Sequence, residues 1–230
     1  FMVLNNLLFF VMWWIFFDRF GEVKGWVIRD MAALYGLVAL LFGAVVVFFA
    51  GAFEIARHVV DGDLDAWLVQ PRHPLPPMLS SRSRASGWGD MLSGGLLIAL
   101  SGSTDALALT GAGIAGVCGG LVFLATTVLF QSIVFWAGDL GPLTRTVTDF
   151  LVIFSTYPGT VFTGGLRFLL FTALPAGFMA YLPVELIRGF DPLVLAGVVG
   201  GALFYAALAL LVFARGLRRY ESGSRFGVRA

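Results

Sequence analysis

FLVIFSTYPGTVFTGGLRFLLFTALPAGFMAYLPV, residues 150–184, sets the number of times this chain can cross a bilayer. Arg167 is its one charge. As a single helix the stretch would run about 50 Å at 1.5 Å per residue, against a hydrocarbon core about 30 Å thick. Tyr157-Pro158 and Gly164-Gly165 also interrupt it, because proline removes a backbone donor and paired glycines favour a bend. Two readings follow. Either 150–166 and 168–184 both cross, or only the second crosses and the first lies at the interface or re-enters.

The rest of the chain places this choice in a membrane. Of its 230 residues 59% are hydrophobic and 13% charged, with a mean hydropathy of +0.90. Soluble domains sit near 45–50% apolar and about 25% charged. A charge at mid-span costs about 2.5–3.5 kcal/mol, so charge-free windows mark the spans. They predict a single transmembrane domain over 1–230, with spans near 1–17, 31–53, 91–104, 111–136, 167–184 and 192–214. The third is short, closed by Gly102 and Asp105. A polar loop fills 54–90 and a polar tail fills 215–230. The chain starts at Phe1 inside an apolar run, which suggests further sequence upstream.

Charge decides the count. With six spans, the 54–90 loop, the 137–167 segment and the tail share one side. That side carries Arg57, Arg72, Arg82, Arg84, Arg145, Arg167, Arg215, Arg218, Arg219, Arg225 and Arg229. The other carries Arg19, Lys24, Arg29 and Arg188. The positive-inside rule then places the loop and the C-terminus in the cytosol, whereas seven spans would put the arginine-rich tail outside. Six are expected, with 150–166 interfacial or re-entrant.

Several functions are disfavoured. Net charge is +1, which gives no electrostatic footprint for nucleic acid. Cys118 is the only cysteine and sits in an apolar run, so packing explains it better than redox chemistry. No ionisable residue lies deep in any predicted span, which argues against a self-powered ion-coupled pump. H-E-x-x-H, G-x-S-x-G and G-x-x-x-x-G-K-[ST] are all absent, and His58 and His73 lack ligand spacing. No catalytic, cofactor or metal residue is expected. Leu92-Ser93-Gly94-Gly95 imitates the signature of ABC ATPases but continues into an apolar run. Close helix approach explains its glycines better, and Gly116-x-x-x-Gly120 and Gly197-x-x-x-Gly201 have the same reading.

The loop contains GDLDAWLVQPRHPLPPML, residues 62–79. Asp63 can cap a short helix running to Gln70, and Asp65 suits its first turn. Leu64, Trp67 and Leu68 fall at i, i+3 and i+4 and share one face. Pro71 stops the helix, and Pro74, Pro76 and Pro77 predict an extended, stiff exit. Two turns are marginal alone in water, so the apolar face needs a receiver. The headgroup layer is one and a groove on a cytosolic partner is the other. The stiff exit favours the partner slightly.

Three stretches resemble the permease subunits of ABC-2 type exporters, in particular the paired bacterial permeases labelled viologen or multidrug exporter-like. Gly62-Asp63-Leu64-Asp65 with Leu68, Pro71, Pro74 and Leu75 is similar to that branch's cytosolic motif. Tyr157-Pro158, Leu166-Arg167, Leu169-Leu170, Pro175, Phe178, Tyr181 and Pro183 resemble a second, and Gly216-Leu217-Arg218-Arg219-Tyr220 a terminal third. Gln70 stands where the branch has arginine, and SSRSRAS at 80–86 replaces a more apolar approach. The family's amphipathic N-terminal helix is absent from this sequence.

The resemblance implies an all-α membrane protein of six transmembrane helices in the bacterial inner membrane, with a cytosolic coupling helix in the 54–90 loop. That helix would dock on a separate ATPase, which binds the ATP. A second permease, identical or related, would close a path for amphipathic, drug-like or lipid-like cargo. A substrate-binding membrane subunit of a vitamin-uptake system, or a membrane scaffold, is the alternative reading.

Overall fold

The computed structural model describes residues 1–102 and 106–220. Among these the structure is helical, apart from one isolated antiparallel bridge between Val23 and Trp26. Four helices are long and apolar enough to cross a membrane: Met2–Phe20, Ile28–Phe48, Leu109–Ala137 and Pro192–Leu217.

Helices α1 (Met2–Phe20) and α2 (Ile28–Phe48) form a hairpin through a tight turn. Asp30 opens α2 by accepting the backbone N–H of Val27 at 3.1 Å, which satisfies one of the orphan donors of the first turn. α2 is the centre of the molecule, with Met31, Leu34, Leu37, Val38, Leu41 and Val45 buried. α6 (Ser86–Leu100) lies antiparallel against it. Gly36 meets Gly94 and Gly43 meets Gly87, two pairs two turns apart. A Cβ on Gly36 would fall 2.8 Å from the Gly94 carbonyl, and one on Gly43 2.6 Å from that of Gly87. Only bare backbone permits this approach.

α7 (Ala106–Ser132) packs on α2 and on α12 (Pro192–Leu217). Pro192 sits at the first helical position, where its missing N–H costs nothing. Asp191 before it caps the helix through the Leu193 amide at 2.8 Å. The chain between α7 and α12 holds α8 (Val134–Ala137), α9 (Gly141–Ser155), α10 (Gly164–Leu169) and α11 (Leu182–Arg188).

Contacts define two ends of the bundle. At one end lie the folded 54–85 loop, the C-terminal turns of α7 and α12, and the start of α9. At the other, Trp13 and the 21–27 turn meet Tyr157, and Arg188 donates to the Gly25 carbonyl and pairs with Asp30 at 3.3 Å. α9 therefore runs from the loop end to the opposite end.

The expectation that 167–184 forms one crossing rod is corrected. α10 stops at Leu169, a turn follows, and a π-helical turn at 177–181 leads into α11. The Tyr205 hydroxyl, about 20 Å along α12 from Pro192, donates to the carbonyls of Phe171 and Thr172 at the turn. Arg188 is back at the end where Tyr157 began. The segment is thus a hairpin that enters to mid-depth and returns. Its cause is local: Pro175 withholds a backbone donor at the turn, and Pro183 withholds another within the returning limb, which accommodates it with the π-helical turn. Conversely, 150–166 is no interfacial rod, because its first residues are the end of α9.

Other boundaries shift. α6 begins at Ser86 and takes Asp90 into the helix, where Asp90 is 5% exposed. It is an ionisable group buried inside an apolar helix, which the charge-free windows left outside the third span. Residues 103–105, where that span was expected to close, and the tail from 221, with Arg225 and Arg229, lie outside the described residues.

Candidate functional site: the folded loop

The loop is compact. A 3₁₀ turn at Ala50–Glu54 leads into α3 (Ile55–Val60), α4 (Leu64–Leu68) and α5 (Leu75–Leu79). Gln131 at the end of α7 accepts the Ala56 amide at 3.1 Å, so the loop is bolted to the bundle. Glu54 binds Arg57 at 3.3 Å and Arg84 at 3.5 Å, which ties the loop's beginning to its end. Met78 and Leu75 are buried, and a Cβ on Gly51 would fall 1.9 Å from the Met78 carbonyl. The 50–54 turn and α5 therefore touch backbone to backbone.

The expected extended exit is corrected. Pro74 takes helical angles, φ −69 and ψ −29, and Pro76 and Pro77 occupy the first turn of α5. Proline is compatible with a first turn, because those N–H groups have no intrahelical acceptor. Pro71 does stop α4.

α4 is shorter than expected, and Asp63 makes no capping hydrogen bond. It approaches His58 instead, 3.7 Å from Nδ1. Gly62 supplies the turn between α3 and α4 with φ +80, a region other residues reach only with strain. The shared face of Leu64, Trp67 and Leu68 is divided. Leu64 is fully buried in the protein's own core, and Trp67 is half-buried beside His58, ring centroids 6.3 Å apart. Leu68 and Val69 project outward, 40% and 83% exposed. Leu64 is thus an anchor, and the outward knob is Leu68 with Val69, a residue the helical spacing did not single out.

The Tyr220 hydroxyl is closed to solvent and makes no hydrogen bond among the described residues. Burial first, then the carboxylates of Asp65 and Asp63, hold that phenol above its ordinary value of 10.0. A polar cleft of about 460 Å³ lies beside the loop, between α3 and the start of α9, with Asp61, Asp139 and Arg145 on its walls.

The glycine pairs behave unequally. A Cβ on Gly116 would meet Leu37 at 3.2 Å and one on Gly120 would meet Leu41 at 3.8 Å, both on α2. They also line an apolar groove of about 490 Å³ between α2 and α7. Gly201 receives the ring of Phe178, but Gly197 has nothing within 4 Å. Ser93, in the imitation signature, binds Asn6, and Gly94 packs on Gly36. Among the described residues no group of three or more His, Cys, Asp or Glu side chains could hold a metal ion.

A bundle of long apolar helices, with a hairpin entering from one end and a folded loop fixed to the other, defines a multi-pass membrane protein. The profile of the ABC-2 family transporter proteins matches residues 3–224, and the chain belongs to that family. It is a membrane component of a transporter rather than a catalytic subunit. No curated protein and no solved structure matches the chain.

Proposed function

We propose that the chain is the membrane-spanning permease of an ATP-driven exporter, and that its folded loop receives the stroke of a separate ATPase. The observation that carries this reading is the shape of α4: a helix anchored inward through Leu64 that presents Leu68 and Val69 to solvent. Two exposed apolar residues on an anchored ridge suit a groove on a partner.

The same reading gives six crossings: α1, α2, α6, α7 with α8, α9 and α12. The loop end carries Arg57, Arg72, Arg82, Arg84, Arg145, Arg215, Arg218 and Arg219, before the two arginines of the tail. Arg19, Lys24, Arg29 and Arg188 lie toward the opposite end, and Arg167 is on the limb of the hairpin that enters from there. The arginine excess supports a cytosolic loop and C-terminus in a bacterial inner membrane. A second permease would complete the path, ATP would bind on the ATPase, and the mostly apolar outer faces suit amphipathic cargo.

Co-expression with the candidate ABC ATPases of the same genome tests the reading. Leu68→Asp and Val69→Asp leave membrane insertion intact and lower capture of the ATPase at least tenfold, since burying one unpaired carboxylate costs more than about 1.4 kcal/mol. Capture equal to wild type in both variants removes the loop from the mechanism.

A further inference from the structure

The polar cleft beside the loop lies between the last turn of α7 and the first turn of α9. Gln131 and Thr144 line it from within, each 3% exposed. The Thr144 hydroxyl donates to the Gly141 carbonyl at 3.0 Å. Gln131 is satisfied on one side only. Its oxygen accepts the Ala56 amide at 3.1 Å, while Nε2 donates to no group among the described residues. A buried amide donor left without an acceptor costs about 1–3 kcal/mol. This one borders a cavity of about 460 Å³, where a ligand can supply the acceptor.

The charges on the walls divide into paired and unpaired. Arg57 pairs with Glu54 and Asp61, both at 3.3 Å, and Glu54 also holds Arg84. Arg145 is exposed and makes no ion pair or hydrogen bond among the described residues. Asp139 accepts the Gly141 amide at 3.0 Å and has no cationic partner among them. A free cation and a free anion therefore border one cleft without pairing with each other. That pattern complements a zwitterion better than it does a simple anion or cation.

We propose that the cleft binds the headgroup of a zwitterionic phospholipid with a primary ammonium, its phosphate on Arg145 and Gln131 Nε2 and its ammonium on Asp139. The site requires only that the chain is a membrane protein and is independent of the exporter reading. Position favours a lipid over a soluble ligand. Trp136, 43% exposed, ends the Leu109–Ala137 span, and exposed tryptophan at a span end settles at headgroup level. Leu143, 56% exposed, stands two residues before Arg145 and offers an apolar surface to the start of an acyl chain. A free phosphate, or a carboxylate from a cytosolic protein, would leave Asp139 without a partner. The ammonium is primary because Asp139 offers acceptors for N–H donors. A quaternary ammonium favours an aromatic cage. Phe53 is the aromatic wall here, and Arg84 already covers its ring at 5.5 Å.

Native mass spectrometry of the delipidated full chain in detergent tests the site. The probes are phosphatidylethanolamine, phosphatidylglycerol and phosphatidylcholine with matched acyl chains. Phosphatidylethanolamine binds about tenfold more tightly than the other two, because only its ammonium donates hydrogen bonds. Arg145→Gln weakens all three about tenfold, since each carries the phosphate. Asp139→Asn keeps an acceptor for the Gly141 amide and brings phosphatidylethanolamine down to the level of phosphatidylglycerol. Both side chains are exposed, so both variants unfold at the wild-type temperature. Equal binding of the three lipids to the wild-type chain overturns the proposal, as does a full preference for phosphatidylethanolamine in Asp139→Asn. Displacement of that lipid by inorganic phosphate assigns the cleft to a free anion and also overturns it. So does an Arg145→Gln chain that binds lipid normally but captures less ATPase, because the cleft then belongs to the protein partner. Loss of lipid binding in Arg145→Gln with ATPase capture unchanged leaves the lipid site standing, whatever becomes of the exporter reading.

Discussion

Asn6 and Asp90 form a buried polar pair inside an apolar wall. The Asn6 amide donates to Asp90 Oδ1 and to Ser93 Oγ, both at 2.8 Å, and Asn6 and Asp90 are 7% and 5% exposed. This pair fixes α1 to α6, and α1 has few other buried residues, Trp13 and Phe17 among them. Asn6→Leu strands the Asp90 carboxyl and costs about 1–3 kcal/mol. The Asn6→Leu/Asp90→Leu double variant recovers most of that, because removing both partners leaves no stranded group. Thermal unfolding of the full chain in detergent reads both: a drop of several degrees for the single variant and near wild-type behaviour for the double. The sequence hid the pair for a physical reason. Asn6 is one of two adjacent asparagines, with Asn5, in an apolar run, Asp90 borders a charge-free window, and nothing local says which of them touches it.

Among the elements, the α2–α6 contact is the most extensive, and its glycines were not all visible as a motif. Gly36 and Gly43 repeat at seven, as do Gly87 and Gly94, and the G-x-x-x-G spacing that drew attention to Gly116, Gly120, Gly197 and Gly201 misses them. Small-residue spacing reports a small face; what the face meets is a tertiary matter, and Gly197 meets nothing. Gly43→Leu forces a side chain to within 2.6 Å of the Gly87 carbonyl and separates the helices, at about 1–3 kcal/mol or more. Gly95→Leu on the open face of α6 is the control, with nothing within 4 Å. A lower unfolding temperature for the first variant alone is the expected result. The same limit explains α4. Helical spacing shows that Leu64, Trp67 and Leu68 share a side, but over five residues the inward and outward edges of that side are not separable. The prolines were legible as punctuation, yet the first turn of α5 suits them as well as an extended exit does.

For the whole molecule, composition alone separated membrane from soluble and marked the long helices. It could not separate a segment that crosses from one that returns, since both are apolar and nearly charge-free over 150–184. Depth came from contacts: Gly119, midway along α7, lies so close to the Met179 carbonyl that a Cβ would approach it to 2.4 Å. Pro183 has no N–H to offer that carbonyl, which is free to face the bare backbone of α7. The proposed sidedness gives a direct check. A cysteine at Arg167, introduced in a Cys118→Ser chain, reacts with an impermeant maleimide added to intact cells, whereas one at Arg82 reacts only after permeabilisation. The reverse pattern would invert the chain in the membrane. The hairpin also carries an electrical consequence. Where peptide groups of Phe171 and Thr172 reach mid-depth, polarisable protein replaces hydrocarbon over one leaflet. A charged group held at the tip would sit near the middle of the core and sense about half of the transmembrane voltage, roughly 1 kcal/mol per elementary charge at 100 mV.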